Sequence, residues 1–173
     1  MATAPIDIAA NEEEAMILAM VRELVAEKVA PRAAEIDATG EFPWDVKELF
    51  AQNDLLGIPI PTEYGGLGGT FVTYVKVVEE IAKACASSAL IVAVQELGML
   101  PIMIGGSEEQ KRRFLPKIAS GEHLVCYALT EVSSGSDALG SMRTRAEKRG
   151  ESYVLNGQKI WITNGSVADV VCV

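Results

Sequence analysis

At 173 residues, 49% of them apolar, the chain is long enough for one sizeable core, or for a helical domain joined to part of another. Fifteen Lys and Arg against 24 Asp and Glu leave a net charge of −9, and no basic cluster interrupts that balance, which excludes a surface built for nucleic-acid phosphates. Three widely spaced cysteines, Cys85, Cys126 and Cys172, form no C-x-x-C pattern and read as small buried hydrophobes of a reducing compartment.

The N-terminus has no Lys or Arg before Arg22, so no signal or transit peptide is expected. Residues 8–30 carry Leu18, Val21, Val25 and Val29 at helical spacing, with Ile17 and Leu24 beside them. Asp7 and Glu12 to Glu14 lie at the end where a helix dipole favours acid. Pro31 is expected to kink or end this helix. A second, short helix is predicted to begin at Phe42-Pro43-Trp44, with Pro43 at a first helical position and Val46, Leu49 and Phe50 turned inward. Residues 57–70, rich in glycine and holding two prolines, must be a loop. G-G-L-G-G has the composition of a phosphate cradle, but it lacks a following G-K-[ST] and a strand-to-helix setting. A tight inter-helix connection is the better reading.

Two helices follow. Residues 71–86 show Val75, Val78, Ile81 and Ala82 on one side, and residues 88–104 are apolar nearly all round, which implies a central, buried helix. The apolar run at 89–104 is broken by Gln95, Glu96 and Pro101 and falls short of the ~18 uninterrupted apolar residues of a membrane span, so a soluble, cytoplasmic protein without a membrane partner is expected. Gly105-Gly106 stops the helix, and Ser107-Glu-Glu-Gln110 has the form of a capping box opening another to about residue 118. These short sequential helices suggest an orthogonal or up-down bundle.

After Ser120-Gly121 the pattern changes to β-like runs at 125–129, 143–148, 153–155, 159–163 and 167–173. Arg149-Gly150 and Asn156-Gly157 are hairpin signals, the second the stronger. The expected fold class is α+β: an all-α bundle over residues 1–121, followed over 122–173 by the start of an antiparallel β domain.

The lone His123 has no partner at a spacing that would make it a base or a metal ligand, and it reads as structural. No metal site and no Ser-His-Asp triad can be assembled. The informative segments are Y-A-L-T-E-V-S-S-G-S-D (127–137) and N-G-Q-K-I-W-I-T-N-G (156–165), both read as strand ends. A flat, redox-active heterocycle needs an apolar wall for its face and neutral donors at its polar edge. Tyr127, Trp161 and Ile162 can form walls, while Thr130, Thr163, Ser133, Ser134 and Ser136 offer hydroxyls. Taken alone, Trp161 reads first as a core aromatic.

Together these two segments resemble the flavin-binding segments of the acyl-CoA dehydrogenase family, and with E-Y-G-G-L-G-G and the helices around it the resemblance covers almost the whole chain. It implies FAD as cofactor, contacted by Tyr127, Leu129, Thr130, Gly135, Ser136, Trp161, Ile162 and Thr163. Trp161 would pack near the isoalloxazine, with Thr163 near its reactive edge. It also implies that Ser136 touches the acyl-CoA substrate. Leu90, Val94 and Leu97 on the buried helix are candidates for the acyl slot, although core packing accounts for them as well. Glu131 and Asp137 are better read as caps of nearby N–H groups, because an anion beside a pyrophosphate is unfavourable.

The family's reaction is α,β-desaturation of an acyl-CoA thioester in fatty-acid metabolism. A carboxylate removes the α proton, hydride passes to the flavin, and an electron-transfer flavoprotein reoxidises it, within a homo-oligomer that is tetrameric in the family. The resemblance places that carboxylate beyond residue 173, so no catalytic base is expected here and the chain alone is expected to be inactive. Two other readings share these residues. One is a non-catalytic partner or split subunit completing a flavin and acyl-CoA site, marked by an exposed apolar edge at 167–173; the other is a flavin monooxygenase of the same fold. Where the family usually has T-E-P and a Gly or Ala pair, this chain has Val132, Ser133 and Ser134. That exchange is expected to affect substrate class or affinity rather than flavin binding.

Overall fold

In the computed structural model, which describes residues 12–173, Glu12, Glu13 and Glu14 occupy the first turn of α1 (Glu12–Leu24). The part of the first helix predicted before residue 12 lies outside the described residues. Leu18, Val21, Val25 and Val29 are all buried along one stripe, as their spacing requires. Pro31 ends the α-helical bonding but not the helical path. The chain passes through a π turn at Val25–Val29 and a 3-10 turn at Ala30–Arg32, then continues as α2 (Ala33–Thr39). Proline has no N–H for an i→i−4 bond, and the change of helix type accommodates that loss.

α3 (Trp44–Gln52) has Pro43 as its N-cap rather than at its first helical position, and it buries Val46 and Phe50. The glycine-rich loop then bonds back on itself. Leu67, Gly68 and Gly69 donate their N–H groups to the carbonyls of Gly57, Ile60 and Ile58 at 3.0, 2.8 and 2.8 Å. Donors spent this way cannot cradle a phosphate, which agrees with the loop being a connection. Gly66 is required by close approach, since a Cβ there would lie 2.1 Å from the Ile60 carbonyl oxygen.

α4 (Phe71–Ala84) is capped by the Thr70 hydroxyl, which accepts from Thr73 N at 3.0 Å. Its buried face is Tyr74, Val77 and Ile81, whereas Val75 and Ala82, expected inside, are exposed. The rotation follows from Tyr74, whose hydroxyl donates to the Ala93 carbonyl of the next helix at 3.1 Å. That helix, α5 (Ala86–Gly105), is central. With 20 residues it is, by length and composition, long and apolar enough to cross a membrane, contrary to the expectation from its polar interruptions, and 56% of its most apolar 18-residue stretch is buried inside the molecule. It extends past the apolar run at both ends, and Gln95 and Glu96 lower the average too little to disqualify it. α6 (Glu108–Ala119) opens with the expected capping box: Ser107 Oγ accepts from Gln110 N at 3.2 Å and Gln110 Oε1 from Ser107 N at 2.8 Å.

Beyond the bundle, β1 (Val125–Tyr127) pairs with β4 (Val170–Cys172), with Val125 opposite Val170. This pairing is parallel, not antiparallel. α7 (Ala138–Ser141) is a single short turn, and β2 (Arg145–Arg149) and β3 (Ser152–Asn156) form an antiparallel hairpin. The α+β class stands, with three corrections in detail. The hairpin turns at Gly150-Glu151, where Gly150 has φ 63°, so the weaker of the two signals was the turn. Asn156 instead ends β3, and Gly157 is needed because a Cβ there would lie 2.1 Å from Thr144 Oγ1. Residues 159–163 form no ladder among the described residues. A single bond joins Ile160 N to Thr130 O at 3.0 Å, and Trp161 turns into the left-handed region at φ 58°, which breaks an extended run.

Two polar knots hold this arrangement. Gln95 is fully buried, and its amide donates to the carbonyls of Ile118 and His123 at 2.9 and 2.7 Å while accepting from Val125 N at 3.1 Å. One turn on, a Cβ at Gly98 would come within 2.8 Å of Val125, so β1 packs directly on α5. The second knot is Glu131, 6% exposed, which accepts from Arg143 N at 2.7 Å, Thr144 N at 2.9 Å and Lys159 Nζ at 3.0 Å. The Thr144 side chain, these backbone N–H groups and the ammonium hold its pKa down at about 2.

Gln95→Leu should leave the Val125 N–H and two carbonyls without their partner, and stability in urea should fall by at least about 3 kcal/mol. An unchanged midpoint would make the amide dispensable. For Glu131 the folded pKa of about 2 lies below the ordinary 4.5, so its contribution is present above pH 4.5 and is lost as pH falls from there towards 2. Glu131→Gln should therefore melt below wild type near neutral pH, with the gap closing across that acid window. A gap that ignores pH would mean that the carboxylate is not paired.

Candidate functional site

The two segments singled out by sequence are neighbours in space. Ile160 N bonds Thr130 O at 3.0 Å, and Lys159 Nζ reaches the Leu129 carbonyl at 2.8 Å as well as Glu131. Trp161 and Ile162 border a shallow hollow of about 450 Å³ whose floor is Cys126, Ala128 and Val171. Trp161 is 88% exposed and Ile162 half-buried. Tyr127, half-buried, falls on the other face of β1 because strand side chains alternate, so it does not line this hollow. Leu129 and Thr130 are half-buried where the strand runs out.

Thr163 is exposed and lies in a second cleft, of about 290 Å³, with Asn164 and Val167. Leu90 of α5 forms the facing wall and Phe42-Pro43 one end. Of the three apolar candidates on α5, Leu90 is therefore the one brought to the predicted cofactor segment. Val94 is buried and Leu97 is half exposed further along the helix, and neither lines this cleft.

The loop after Thr130 is tightly built at its base and open at its edge. Glu131 and Ser134 exchange two backbone bonds, at 2.8 and 3.1 Å, which closes the turn where the family's proline would be and leaves Val132 exposed at the tip. Ser134 is buried and its hydroxyl donates to Asp137 O at 2.8 Å. Asp137 in turn accepts from Gly140 N and from the Ser141 hydroxyl, the structural role expected of it. Gly135 and Ser136 are exposed, and a Cβ at Gly135 would meet nothing within 4 Å, so a ligand can approach the backbone there.

The chemistry on offer is that of a binding surface. An exposed indole, an isoleucine and uncharged hydroxyls face outward, and the two nearby carboxylates are already taken up by N–H groups, a hydroxyl and a lysine. His123 is half-buried, 4.0 Å from the Glu122 carboxylate and remote in role from these groups. Two residues that hold the site together were not singled out from sequence. Lys159 signals itself only as one cation in an apolar run, and Gln95 only as one amide in an apolar helix.

Comparison with known proteins covers nearly all of this architecture. Residues 11–122 match the acyl-CoA dehydrogenase N-terminal domain and residues 126–173 the acyl-CoA dehydrogenase middle domain. Cyclohex-1-ene-1-carbonyl-CoA dehydrogenase of Syntrophus aciditrophicus is 47% identical over 164 residues, 94% of this chain and 39% of that protein. A structure from Acidaminococcus fermentans, solved in work on electron transferring flavoprotein and electron bifurcation, superimposes with a TM-score of 0.90 at 35% identity, over 96% of this chain and 44% of its own. An acyl-CoA dehydrogenase of Bacillus anthracis complexed with FAD does so with a TM-score of 0.86 at 38% identity, over 99% and 29%. The chain thus spans about two fifths of the length of the curated relatives it matches. On sequence and on fold alike, it belongs to the acyl-CoA dehydrogenase family.

Proposed function

We propose that this chain supplies the helical and flavin-facing part of an FAD-dependent acyl-CoA dehydrogenase, an oxidoreductase that desaturates an acyl thioester between its α and β carbons. The observation that carries the reading is Trp161. An indole 88% exposed on backbone at φ 58° is neither a core aromatic nor a relaxed surface residue, because a bulky side chain in the left-handed region costs roughly 1–3 kcal/mol. A wall for a planar ring accounts for both features. The match to a relative complexed with FAD supports the same cofactor here.

When bound, the flavin supplies the acceptor for hydride from the substrate's β carbon. Trp161 and Ile162 provide the apolar wall and exclude water from one side, and Thr163 provides a neutral donor at the polar edge. Leu129 and Thr130, just after β1, complete the cofactor side, while Tyr127 lies on the other face of the strand and outside the hollow beside Trp161. Gly135 and Ser136 are suited to phosphate or thioester oxygens, because the space above the glycine is open. Leu90 faces Thr163 across the cleft and forms the acyl-chain side there, whereas Val94 and Leu97, further along α5, lie outside that cleft. Each of these groups binds or orients. None takes the α proton, and the base is assigned to a part of the protein outside these residues, so that the chain by itself is inactive.

The same reading includes a division into domains near Gly121, a homo-oligomeric enzyme and an electron-transfer flavoprotein as redox partner. The partner is supported by the similarity to the Acidaminococcus structure. A cytoplasmic location is supported by Cys85, Cys126 and Cys172, all free thiols.

In the complete enzyme, Trp161→Ala and Thr163→Ala should each weaken FAD binding in a titration and shift the flavin absorption. Wild-type affinity and spectrum in both would reject the assignment. Ser136→Ala should cost roughly 1.5 to 3 kcal/mol in affinity for FAD or acyl-CoA, the worth of one hydrogen bond to a charged group. Unchanged affinity for both ligands would remove Ser136 from the site.

A further inference from the structure

We propose that Lys159, seated in the Glu131 carboxylate, is a positioning residue for the cofactor: it fixes the spacing of segments 127–137 and 159–165 and thereby sets how tightly FAD is held. This rests on the flavin reading above. Lys159 and Glu131 are 12% and 5% exposed at their side chains and stand 3.0 Å apart. A buried ion pair of this kind adds little net stability over a well-packed apolar pair, so its place in the structure asks for a geometric explanation. The geometry provides one. The ammonium donates to Leu129 O at 2.8 Å and to Glu131 Oε1, the residues on either side of Thr130, while Lys159 itself stands two residues before Trp161. Glu131 extends the clasp to the start of β2 through the N–H groups of Arg143 and Thr144.

Among the described residues no strand ladder joins the two segments. Between the two segments the backbone contributes the Ile160 N to Thr130 O bond, and beyond it the chain turns away at Trp161. Removing the ammonium would leave the Leu129 carbonyl without its donor and the buried Glu131 carboxylate without its counter-charge, so residues 159–163 would lose the restraint that aims Trp161 and Thr163. Lys159 reaches the cofactor only through these neighbours. Methionine in its place keeps the length and the apolar stem but bridges nothing, whereas arginine keeps charge and donors in a larger, planar head.

The test uses the complete enzyme, with FAD itself as the probe. Lys159→Met should weaken FAD binding at least tenfold, and at saturating FAD its visible circular dichroism should still differ from wild type, a change that a loss of stability alone does not produce. Lys159→Arg should recover part of both, and the far-ultraviolet helical signal should be unchanged throughout. If Lys159→Met does not fold, Glu131→Gln near neutral pH carries the same readouts, because it keeps the shape and removes the counter-charge. Wild-type FAD affinity and dichroism in the folded variant would overturn the positioning role while leaving the flavin reading standing. A wild-type enzyme that binds no FAD would overturn both.

Discussion

A fully buried amide in the middle of an apolar helix must find partners, and Gln95 finds three in the interior. They come from the last turn of α6, from the link after it and from the first residue of β1. The bundle and the β segment are therefore joined through the core rather than along a surface seam. An unsatisfied buried amide costs more than a satisfied one contributes, so this contact restricts where β1 can lie. Gly98 then lets Val125 sit against the helix, β4 adds to the outer side of β1, and Asp169 closes the pair by accepting from Leu124 N at 2.9 Å. The direction in which residues 127–137 leave the strand is a consequence of that anchor.

From there a second interior contact takes over. Glu131 gathers two backbone N–H groups and an ammonium from two other stretches of chain, and Gly135, Ser136, Trp161 and Thr163 beside these anchors are left exposed. This gives the site its character: rigid supports underneath, and an exposed ring and neutral hydroxyls on top. Charge that would oppose a phosphate-bearing ligand is already compensated, by Lys159 at Glu131 and by N–H and O–H donors at Asp137. Preorganised supports of this sort lower the cost of ordering a binding loop when a ligand arrives.

Several features were legible because they depend on residues three or four apart. The stripe Leu18, Val21, Val25, Val29, the Ser107–Gln110 capping box and the reading of Asp137 as a cap all appear as expected. The rotation of α4 was not legible, since Tyr74 is drawn inward by a carbonyl 19 residues away that no local pattern announces. Nor was the hairpin turn: Asn156-Gly157 has the better local chemistry, but Gly157 is claimed by packing against Thr144, and Gly150 provides the positive φ instead. The apolar alternation of 159–163 suggested a strand, and the absence of a ladder beside it decided otherwise.

By itself, then, the sequence determined the helical bundle, the change to β structure after Ser120-Gly121, and the residue types that suit a flat neutral ring, because periodicity, capping and side-chain chemistry are local properties. Only the tertiary structure decided that β1 pairs in parallel with β4, that Trp161 is exposed rather than a core residue, and that Gln95 and Lys159 bond across the parts. The bonds from Gln95 to Val125 and from Lys159 to Leu129 each span 30 residues. Their energy comes from burial that exists once the bundle has closed around them, and a one-dimensional pattern carries no record of it.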